Sequence, residues 1–460
     1  MGERRLDALG AAVGQVAPVR ALGRLAAAEG AVLRVSGLGG TARIGDRLEL
    51  RRGDGGRLGG EVLRLDSDQV VMLPDTHADG VSLGDPVALL PAPGIAPCEA
   101  WIGRVIDPFG RPLDGAPLLP GPTPRALRAA PPAAGARRGF GPRLDTGMAL
   151  FDTALPVVRG QRLGLFAGSG VGKSTLLATF ARSLEADVVV LALIGERGRE
   201  LRDFVERSLG PEGMARSVVV AATSDRSPLQ RRRCAWAAMA VAEHFRDAGR
   251  HVLLLADSVT RFAEAHREVA AASGELPALR GYPPSLGQQV MALAERAGPG
   301  SGEAGDITAL FTVLVAGSDM EEPVADMLRG VLDGHVVLDR AIAEQGRFPA
   351  VDLTRSVSRS LPGAATADET AAIQRLRALV SAHEGAETMI RAGLYSEGSD
   401  PEVDQAVRAW QEIEAFLAAE AEEGVEGSFR RLRTILRRAA GPGRRAGQSG
   451  AEAAPRRLPG

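Results

Sequence analysis

The 460-residue sequence predicts an α/β protein with a central parallel sheet, a small β-barrel before it and a helical domain after it. The central prediction rests on apolar runs of strand length that alternate with helical patterns between about residues 161 and 339. The barrel is predicted from short β-rich runs, separated by Gly- and Asp-rich turns, between about residues 31 and 90. Beyond Thr366, apolar residues recur only at helical spacing, which predicts the third domain.

The composition excludes several broad classes of protein. With 45% hydrophobic and 24% charged residues and a formal net charge of -2, the chain has the composition of a globular protein. The near-neutral charge argues against a protein whose main role is to bind the phosphate backbone of nucleic acids. Cys98 and Cys234 lie far apart and show no metal-ligand spacing, so neither a disulfide framework nor a zinc site is expected. Because no run of about 18 apolar residues occurs, we expect no membrane-spanning segment.

The pattern of residues divides the chain into five segments. Leu6, Leu9, Val13 and Val16 recur at three- and four-residue steps, which is typical of an amphipathic helix, although a frayed terminal segment explains the pattern equally well. The last twenty residues are rich in glycine, proline and arginine, which favours disorder. We therefore expect an N-terminal helix at 1–25, a β-barrel domain at 26–98, an α/β domain at 99–362, a helical domain at 363–440 and a disordered tail at 441–460.

A glycine-rich loop follows the predicted strand Arg162–Phe166 and precedes a helical pattern over Thr175–Leu184. Its glycines allow backbone amides to turn inward, and the helix presents its N-terminus to an anion, so the loop is expected to bind the phosphates of ATP. Lys173 would reach the β- and γ-phosphates, and the Ser174 hydroxyl would ligate Mg²⁺. The predicted nucleotide-binding residues are Gly168, Ser169, Gly170, Val171, Gly172, Lys173, Ser174 and Thr175.

Lys173 is the only lysine in the chain, which also has no asparagine. A coding bias against lysine and asparagine codons explains why nearly every other cation is arginine. The compact ammonium of lysine differs in shape from a guanidinium fork, so a pocket built for a point charge would not accept arginine. The one lysine that remains therefore marks the expected active site.

Two carboxylates follow predicted strands that lead to the same edge of the sheet. Asp257 ends the apolar run 252–256, which is the expected place for the acid that holds Mg²⁺. Glu196 follows the run 188–194, where a carboxylate can orient and deprotonate the attacking water. A salt bridge at a helix start is the alternative, and it fits Glu200 better than Glu196.

A further group of residues follows the predicted sheet. Phe348 could cover the face of adenine, although an aromatic residue before proline is more often part of a core. Arg359 could be an arginine finger, a residue worth about 10³–10⁵ in rate in enzymes that transfer phosphoryl groups. No sequence pattern alone establishes that role, and surface charge is the ordinary explanation for one arginine among so many.

These motifs together resemble the hexameric export ATPases of bacterial type III secretion, which are related to the catalytic subunits of rotary ATP synthases. The flagellum-specific branch is the most similar, and the resemblance extends from about Leu33 to Leu436. The motifs that carry it include Gly103-Arg104-Val105, Gly110-Arg111-Pro112-Leu113-Asp114-Gly115, the phosphate loop, Leu193-Ile194-Gly195-Glu196-Arg197-Gly198-Arg199-Glu200, Asp257-Ser258-Val259-Thr260-Arg261-Phe262-Ala263 and Gly281-Tyr282-Pro283-Pro284-Ser285.

The resemblance implies a RecA-like ATPase core in a cytoplasmic homohexamer. It matches Glu196 to the catalytic carboxylate, Arg197 to a γ-phosphate contact, Phe348 to the aromatic residue against adenine, and Arg359 to the finger that enters the neighbouring subunit's site. The partners it implies are a stator or regulator protein at the N-terminal helix, a coiled-coil stalk protein in the central pore, and export substrates and chaperones at the C-terminal domain. It also implies peripheral contact with a membrane export gate.

Four other functions compete with flagellar export. A hexameric RNA motor needs a basic, aromatic N-terminal domain, but residues 1–100 carry 11 arginines against 13 acidic residues and no Phe, Tyr or Trp, so no nucleic-acid partner is expected. A non-catalytic subunit would lack Glu196. A virulence (injectisome) secretion ATPase and, less favoured, a rotary ATP synthase catalytic subunit remain as enzymatic alternatives.

Overall fold

The computed structural model describes residues 19–91, 94–315 and 320–441 and begins with a closed antiparallel barrel. Leu33 and Val35, two residues apart on one strand, are buried in the barrel core, as the two-residue period of a strand requires. The strands close in the order β1-β2-β5-β4-β3-β6. They are β1 (Leu22–Glu29), β2 (Val32–Ser36), β3 (Arg47–Arg51), β4 (Arg57–Leu65), β5 (Gln69–Pro74) and β6 (Pro86–Leu89).

The barrel begins four residues earlier than the boundary expected at residue 26. Residues 22–25 belong to β1 and not to the N-terminal helix expected for 1–25, because residues 22–24 pair with residues 86–88 of β6. The first part of that predicted helix, residues 1–18, lies outside the described residues. The same holds for residues 442–460 of the predicted disordered tail.

The central sheet has eight strands in the order β16-β15-β10-β14-β13-β11-β12-β8. All neighbouring pairs are parallel except β15 and β16, which are antiparallel. Every residue of β11, β12 and β13 is buried, as expected for parallel strands covered on both faces. The strands are β8 (Arg104–Ile106), β10 (Arg162–Ala167), β11 (Val188–Ile194), β12 (Ser217–Ala222), β13 (Val252–Asp257), β14 (Ile307–Leu314), β15 (Gly334–Leu338) and β16 (Val351–Ser358), with β7 (Gly94–Ile95) and β9 (Arg125–Ala126) forming a separate pair.

Helices cover both faces of this sheet. Alternate residues of β11 enter two different cores: Val189 and Leu191 pack in one, and Val190 and Ala192 pack in the other. None of the helices in the described ranges is long and apolar enough to cross a membrane. The helices of this domain are α1 (Ala149–Asp152), α2 (Lys173–Ser183), α3 (Gly198–Asp203), α4 (Gly210–Met214), α5 (Pro228–Asp247), α6 (Val259–Ser273), α7 (Ser285–Glu295), α8 (Pro323–Val331) and α9 (Arg340–Glu344).

A helical domain follows the sheet, as the apolar spacing beyond Thr366 predicts. It consists of α10 (Ala367–Arg391), α11 (Pro401–Leu417) and α12 (Gly424–Ala439). Thr366 caps α10 with a reciprocal capping box, which satisfies two backbone groups at the start of the helix. The buried faces of all three helices join the core on one side of the sheet.

The parallel strands bring the predicted site residues to one edge of the sheet. The strands β11 and β13 are neighbours, with Leu193 beside Asp257. Glu196 follows β11 by two residues, and the glycine-rich loop follows β10. Because parallel strands end at the same edge, three separate parts of the sequence meet there, which is where ligands bind in open α/β sheets.

Candidate active site

The glycine-rich loop joins β10 to α2 and requires glycine at two of its positions. Gly170 and Gly172 have φ values of 77° and 84°, in the left-handed region that side chains rarely adopt. Helix α2 begins at Lys173 and runs for 11 residues, so its N-terminal amides face the loop. This arrangement is suited to binding phosphate groups.

Lys173 lies between the two predicted carboxylates. Its ammonium donates a hydrogen bond to Asp257 Oδ1, and its Nζ is 3.8 Å from Glu196 Oε1. The side chain of Lys173 is 12% exposed and that of Asp257 is 6% exposed. The structure therefore brings Lys173, Glu196 and Asp257 into one partly buried cluster beside the loop.

A neighbouring strand holds the Asp257 carboxylate in place. The Thr312 hydroxyl on β14 donates a 2.7 Å hydrogen bond to Asp257 Oδ1 and is itself buried. The sequence analysis did not select Thr312, because an isolated threonine inside an apolar strand carries no motif. Only the pairing of β13 with β14 places the two side chains together.

Glu196 has the electrostatic properties of a general base. Burial is the main cause that raises the pKa of the Glu196 carboxyl to about 7; the charge of the nearby Asp257 contributes to the rise, whereas the charge of Lys173 opposes it. A base with a pKa near the working pH combines a useful ionised fraction with effective proton transfer. The side chain is 23% exposed, so solvent can still reach it.

The oxygen atoms near the loop fit a magnesium ion held together with nucleotide phosphates. Ser174 and Thr175 are exposed on the first turn of α2, and Asp257 offers a carboxylate at the adjacent strand end. Among the described residues, no group of three or more His, Cys, Asp or Glu could hold a metal ion. This donor set suits Mg²⁺, which usually takes one or two protein oxygens and completes its shell with phosphate and water.

Phe348 lies against the phosphate loop. Two of its ring carbons, Cδ1 and Cε1, stand 3.0 and 3.1 Å from the position that a Cβ on Gly172 would occupy. The residue is 48% exposed, so one part of the ring is free to meet a ligand. Gly172 is thus required both by its backbone conformation and by the neighbouring ring.

Arg197 is part of the predicted site, but its guanidinium does not join the cluster. Its Nη1 donates to Glu200 at 3.2 Å, and its side chain is 80% exposed.

Arg359 lies at the opposite edge of the sheet from the phosphate loop. It follows β16, whose Ser358 pairs with Gly334 at the start of β15, whereas the loop lies level with the end of β15. These two edges are about 13 Å apart along the strand. The guanidinium donates to the carbonyls of Leu332 and Arg329 at 3.0 and 3.2 Å. Arg359 is therefore remote from the site of its own chain.

Arg261 is a further cation beside the cluster that the sequence analysis did not assign to the site. Its Cβ lies 3.2 Å from the position that a Cβ on Gly195 would occupy. The hydrogen bond that Arg261 donates to Glu264 is the main cause that raises the pKa of Arg261, and the charge of Glu196 contributes to the rise. In a chain with 55 basic residues, one more arginine gives no local signal of such a position.

The fold and the site together define a class of protein: a P-loop ATPase of the ATP synthase type, in which a phosphate loop, a lysine and two strand-end carboxylates share one sheet edge. A profile of the ATP synthase alpha/beta family, nucleotide-binding domain, matches residues 147–358. The T3SS EscN ATPase C-terminal domain matches residues 365–433.

Relatives that match nearly the whole chain specify the family. The Flagellum-specific ATP synthase of Caulobacter vibrioides is 45% identical over 435 residues, which cover 93% of this chain and 98% of that relative. The protein of the same name from Salmonella typhimurium is 42% identical, with 90% and 92% covered. The chain therefore belongs to the family of flagellum-specific ATP synthases, and the resemblance predicted from its motifs is confirmed.

Solved structures show the same architecture. The assembled ATPase EscN from the type III secretion system of enteropathogenic E. coli matches with a TM-score of 0.83 and 36% identity, covering 90% of this chain and 100% of that one. EscN in complex with its central stalk EscO matches with a TM-score of 0.80 and 37% identity, over the same shares of the two chains. The predicted barrel, nucleotide domain and helical domain are confirmed, and so is the prediction of an ATP-hydrolysing enzyme.

Proposed function

We propose that this chain is a Mg²⁺-dependent ATP hydrolase that serves the bacterial flagellar type III export apparatus. The observation that carries the proposal is the cluster at the loop, in which Lys173 lies 3.8 Å from a glutamate, Glu196, whose pKa is raised to about 7. A cation for the phosphates and a base for water stand side by side. This is the combination that hydrolysis of a phosphoanhydride needs.

Glu196 orients a water molecule and accepts its proton as the water oxygen attacks the γ-phosphorus of ATP. The bond between that phosphorus and the β–γ bridging oxygen breaks, and ADP and phosphate leave. Lys173 neutralises charge on the β- and γ-phosphates, and Arg197 contacts the γ-phosphate after its exposed side chain turns inward. The backbone amides of residues 168–175 bind the phosphates.

Ser174 and Asp257 would hold the magnesium ion. The Ser174 hydroxyl would supply an oxygen ligand, and the Asp257 carboxylate would act on the ion through its bound water. When bound, Mg²⁺ neutralises charge that develops on the phosphate oxygens. The hydrogen bond from Thr312 keeps the carboxylate of Asp257 aimed at the loop.

Arg359 would complete the site of a neighbouring subunit. Arg359 lies at the far edge of the sheet and therefore does not reach the phosphate loop of its own chain, and it is exposed. An arginine that enters another subunit's site stabilises transition-state charge only in an oligomer. The assembled state of EscN supports a homohexamer for this chain.

The partners follow from the family rather than from the site. The complex of EscN with its central stalk EscO supports a coiled-coil stalk partner in the pore of the hexamer. We further propose a stator or regulator protein at the N-terminal segment, substrates and chaperones at the helical domain, and peripheral contact with a membrane export gate from the cytoplasm.

A virulence secretion ATPase is the second candidate function. The Type 3 secretion system ATPase of Xanthomonas euvesicatoria is 41% identical, with 87% of this chain and 90% of the relative covered. The flagellum-specific relatives reach 45% with higher coverage, and they favour flagellar export.

The first experiment is steady-state ATPase activity as a function of protein concentration, for the wild type and Arg359→Ala, with ATP binding measured in parallel. We expect specific activity to rise with concentration, and Arg359→Ala to bind ATP but to lose about 10³–10⁵ in turnover. Activity independent of concentration, together with a fully active Arg359→Ala, would exclude the shared-site mechanism.

A further inference from the structure

Arg347 is a nearly buried guanidinium at the junction between the α/β domain and the helical domain. Its side chain is 11% exposed, and its Nε lies 3.9 Å from Glu414 Oε1 on α11. Its Nη2 donates to the Val351 carbonyl at 3.3 Å. Within the described part of the chain, its Nε and Nη1 are buried without a hydrogen-bond partner. Buried donors without partners cost free energy, so this arginine needs a compensating interaction.

The compensation is electrostatic and comes mainly from the helical domain. Burial lowers the pKa of Arg347, and the charges of Glu414, Glu384 and Asp352 oppose that effect. Glu384 lies on α10 and Glu414 on α11, whereas Asp352 lies on β16. One cation of the α/β domain therefore pairs with Glu414 of the helical domain at 3.9 Å, and the charge of Glu384 in the same domain acts in the same direction without an ion-pair contact.

The residue next to Arg347 contacts the phosphate loop. Phe348 places two ring carbons 3.0 and 3.1 Å from the position of a Cβ on Gly172, and Gly172 directly precedes Lys173. Because Arg347 and Phe348 are joined by a single peptide, a shift of the arginine side chain changes the backbone that aims the ring. A continuous series of contacts thus runs from α11 through Arg347 and Phe348 to the loop.

We propose that Arg347, held by Glu414, is a positioning residue that sets the affinity of the site for the adenine ring by holding Phe348 against the phosphate loop. The inference rests on the proposed function, and on the contact with adenine that the family resemblance implies for Phe348. It assigns to Arg347 no contact with the nucleotide. It predicts an effect on binding of the base and none on binding of the phosphates.

The test compares dissociation constants for Mg-ATP and Mg-tripolyphosphate with kcat at saturating ATP, in the full chain. Phe348→Ala should weaken ATP binding about 5- to 150-fold, as expected for loss of an aromatic stacking partner. Arg347→Met and Glu414→Gln should each weaken it about three- to fivefold, the upper end expected for an ion pair with one partly exposed partner. In both variants kcat and tripolyphosphate affinity should stay within about twofold of wild type.

Two further variants serve as controls. Arg347→Lys retains the charge and should keep most of the ATP affinity. Arg340→Met removes an exposed ion pair with Glu344, at 2.8 Å in α9, and should leave ATP affinity unchanged. A folding defect in Arg347→Met would leave Glu414→Gln to decide, since its side chain is 36% exposed and lies in the other domain.

The outcomes separate this inference from the proposed function. If Phe348→Ala loses ATP affinity but neither Arg347→Met nor Glu414→Gln does, the positioning role is wrong and the adenine contact stands. If Arg347→Met weakens ATP and tripolyphosphate equally, the arginine supports the loop itself and the inference fails. If Phe348→Ala binds ATP as tightly as the wild type, the adenine contact of the proposed function fails as well.

Discussion

Replacing Glu196 with glutamine removes the proposed base and keeps the volume of the side chain. General-base catalysis contributes about 10²–10⁴ in rate, which corresponds to about 2.7–5.4 kcal/mol of activation free energy. We expect kcat of Glu196→Gln to fall by this factor. ATP should still bind, because Lys173 and the loop amides are unchanged.

The raised pKa of Glu196 adds a pH dependence that the substitution should abolish. The pH profile of kcat/KM reports ionisations of the free enzyme, so a base with a pKa of about 7 makes kcat/KM rise about tenfold between pH 6 and pH 8. In Glu196→Gln this rise should disappear. Only the ionised carboxylate can accept a proton, which sets the direction of the change.

The same pKa predicts an effect on stability. The folded-state pKa lies above the value of 4.5 for an unperturbed glutamate, so folding favours the protonated carboxyl. This stabilising contribution is present below about pH 4.5 and is lost as the pH rises through about 7. Glu196→Gln should therefore be more stable than the nucleotide-free wild type at pH 8, by about 1–3 kcal/mol, and by less at pH 5.

Three measurements check this reasoning: steady-state kinetics from pH 6 to pH 8, ATP binding by calorimetry, and urea unfolding at pH 5 and pH 8. Glu206→Gln is the matched control, since Glu206 is exposed on the segment that follows α3, and it should keep wild-type activity. The general-base assignment would be refuted if Glu196→Gln kept activity within tenfold of wild type. It would equally be refuted if the pH dependence survived the substitution.

Other predictions concern the supporting structure. Thr312→Val removes the buried hydroxyl that donates to Asp257 and leaves Lys173 as the other donor to that carboxylate. It should destabilise the protein by about 1–3 kcal/mol and raise the Mg²⁺ concentration needed for half-maximal activity, while Thr312→Ser should not. Gly172→Ala places a side chain at a backbone position in the left-handed region, which costs about 1–2 kcal/mol, and brings its Cβ close to the ring of Phe348. ATP affinity should therefore drop in a binding assay. Arg296 and Glu243 form a buried ion pair at 2.6 Å. Arg296→Met leaves Glu243 unpaired and should lower the free energy of unfolding in urea by about 3–5 kcal/mol, whereas the double variant Arg296→Met with Glu243→Leu should recover most of that loss.

The strands of the central sheet were well predicted where their signals are local. The predicted run 188–194 coincides with β11, and the run 252–256 differs from β13 by one residue. Continuous apolar stretches of this length are typical of parallel strands buried on both faces. The helical domain was likewise predicted from the spacing of buried residues such as Ile413 and Phe416 on α11.

Elements without such a signal were missed. The strand β16 mixes apolar with polar and charged residues and lies antiparallel at the edge of the sheet, so it lacks the apolar run that identifies the other strands. β8 has three residues, too few for a pattern. Residues 22–25 carry little strand character of their own and join the barrel through pairing with β6, which is distant in sequence.

The sequence by itself determined the phosphate loop, its single lysine, the two strand-end carboxylates and the family, because each of these depends on residues that lie close together in the chain. Only the tertiary structure decided that Thr312 holds Asp257, that Arg359 lies at the opposite edge of the sheet, and that Arg347 lies between two domains. Strand register and domain packing join residues far apart in sequence. They also set burial, which raises the pKa of Glu196 and gives an ordinary glutamate the property of a base.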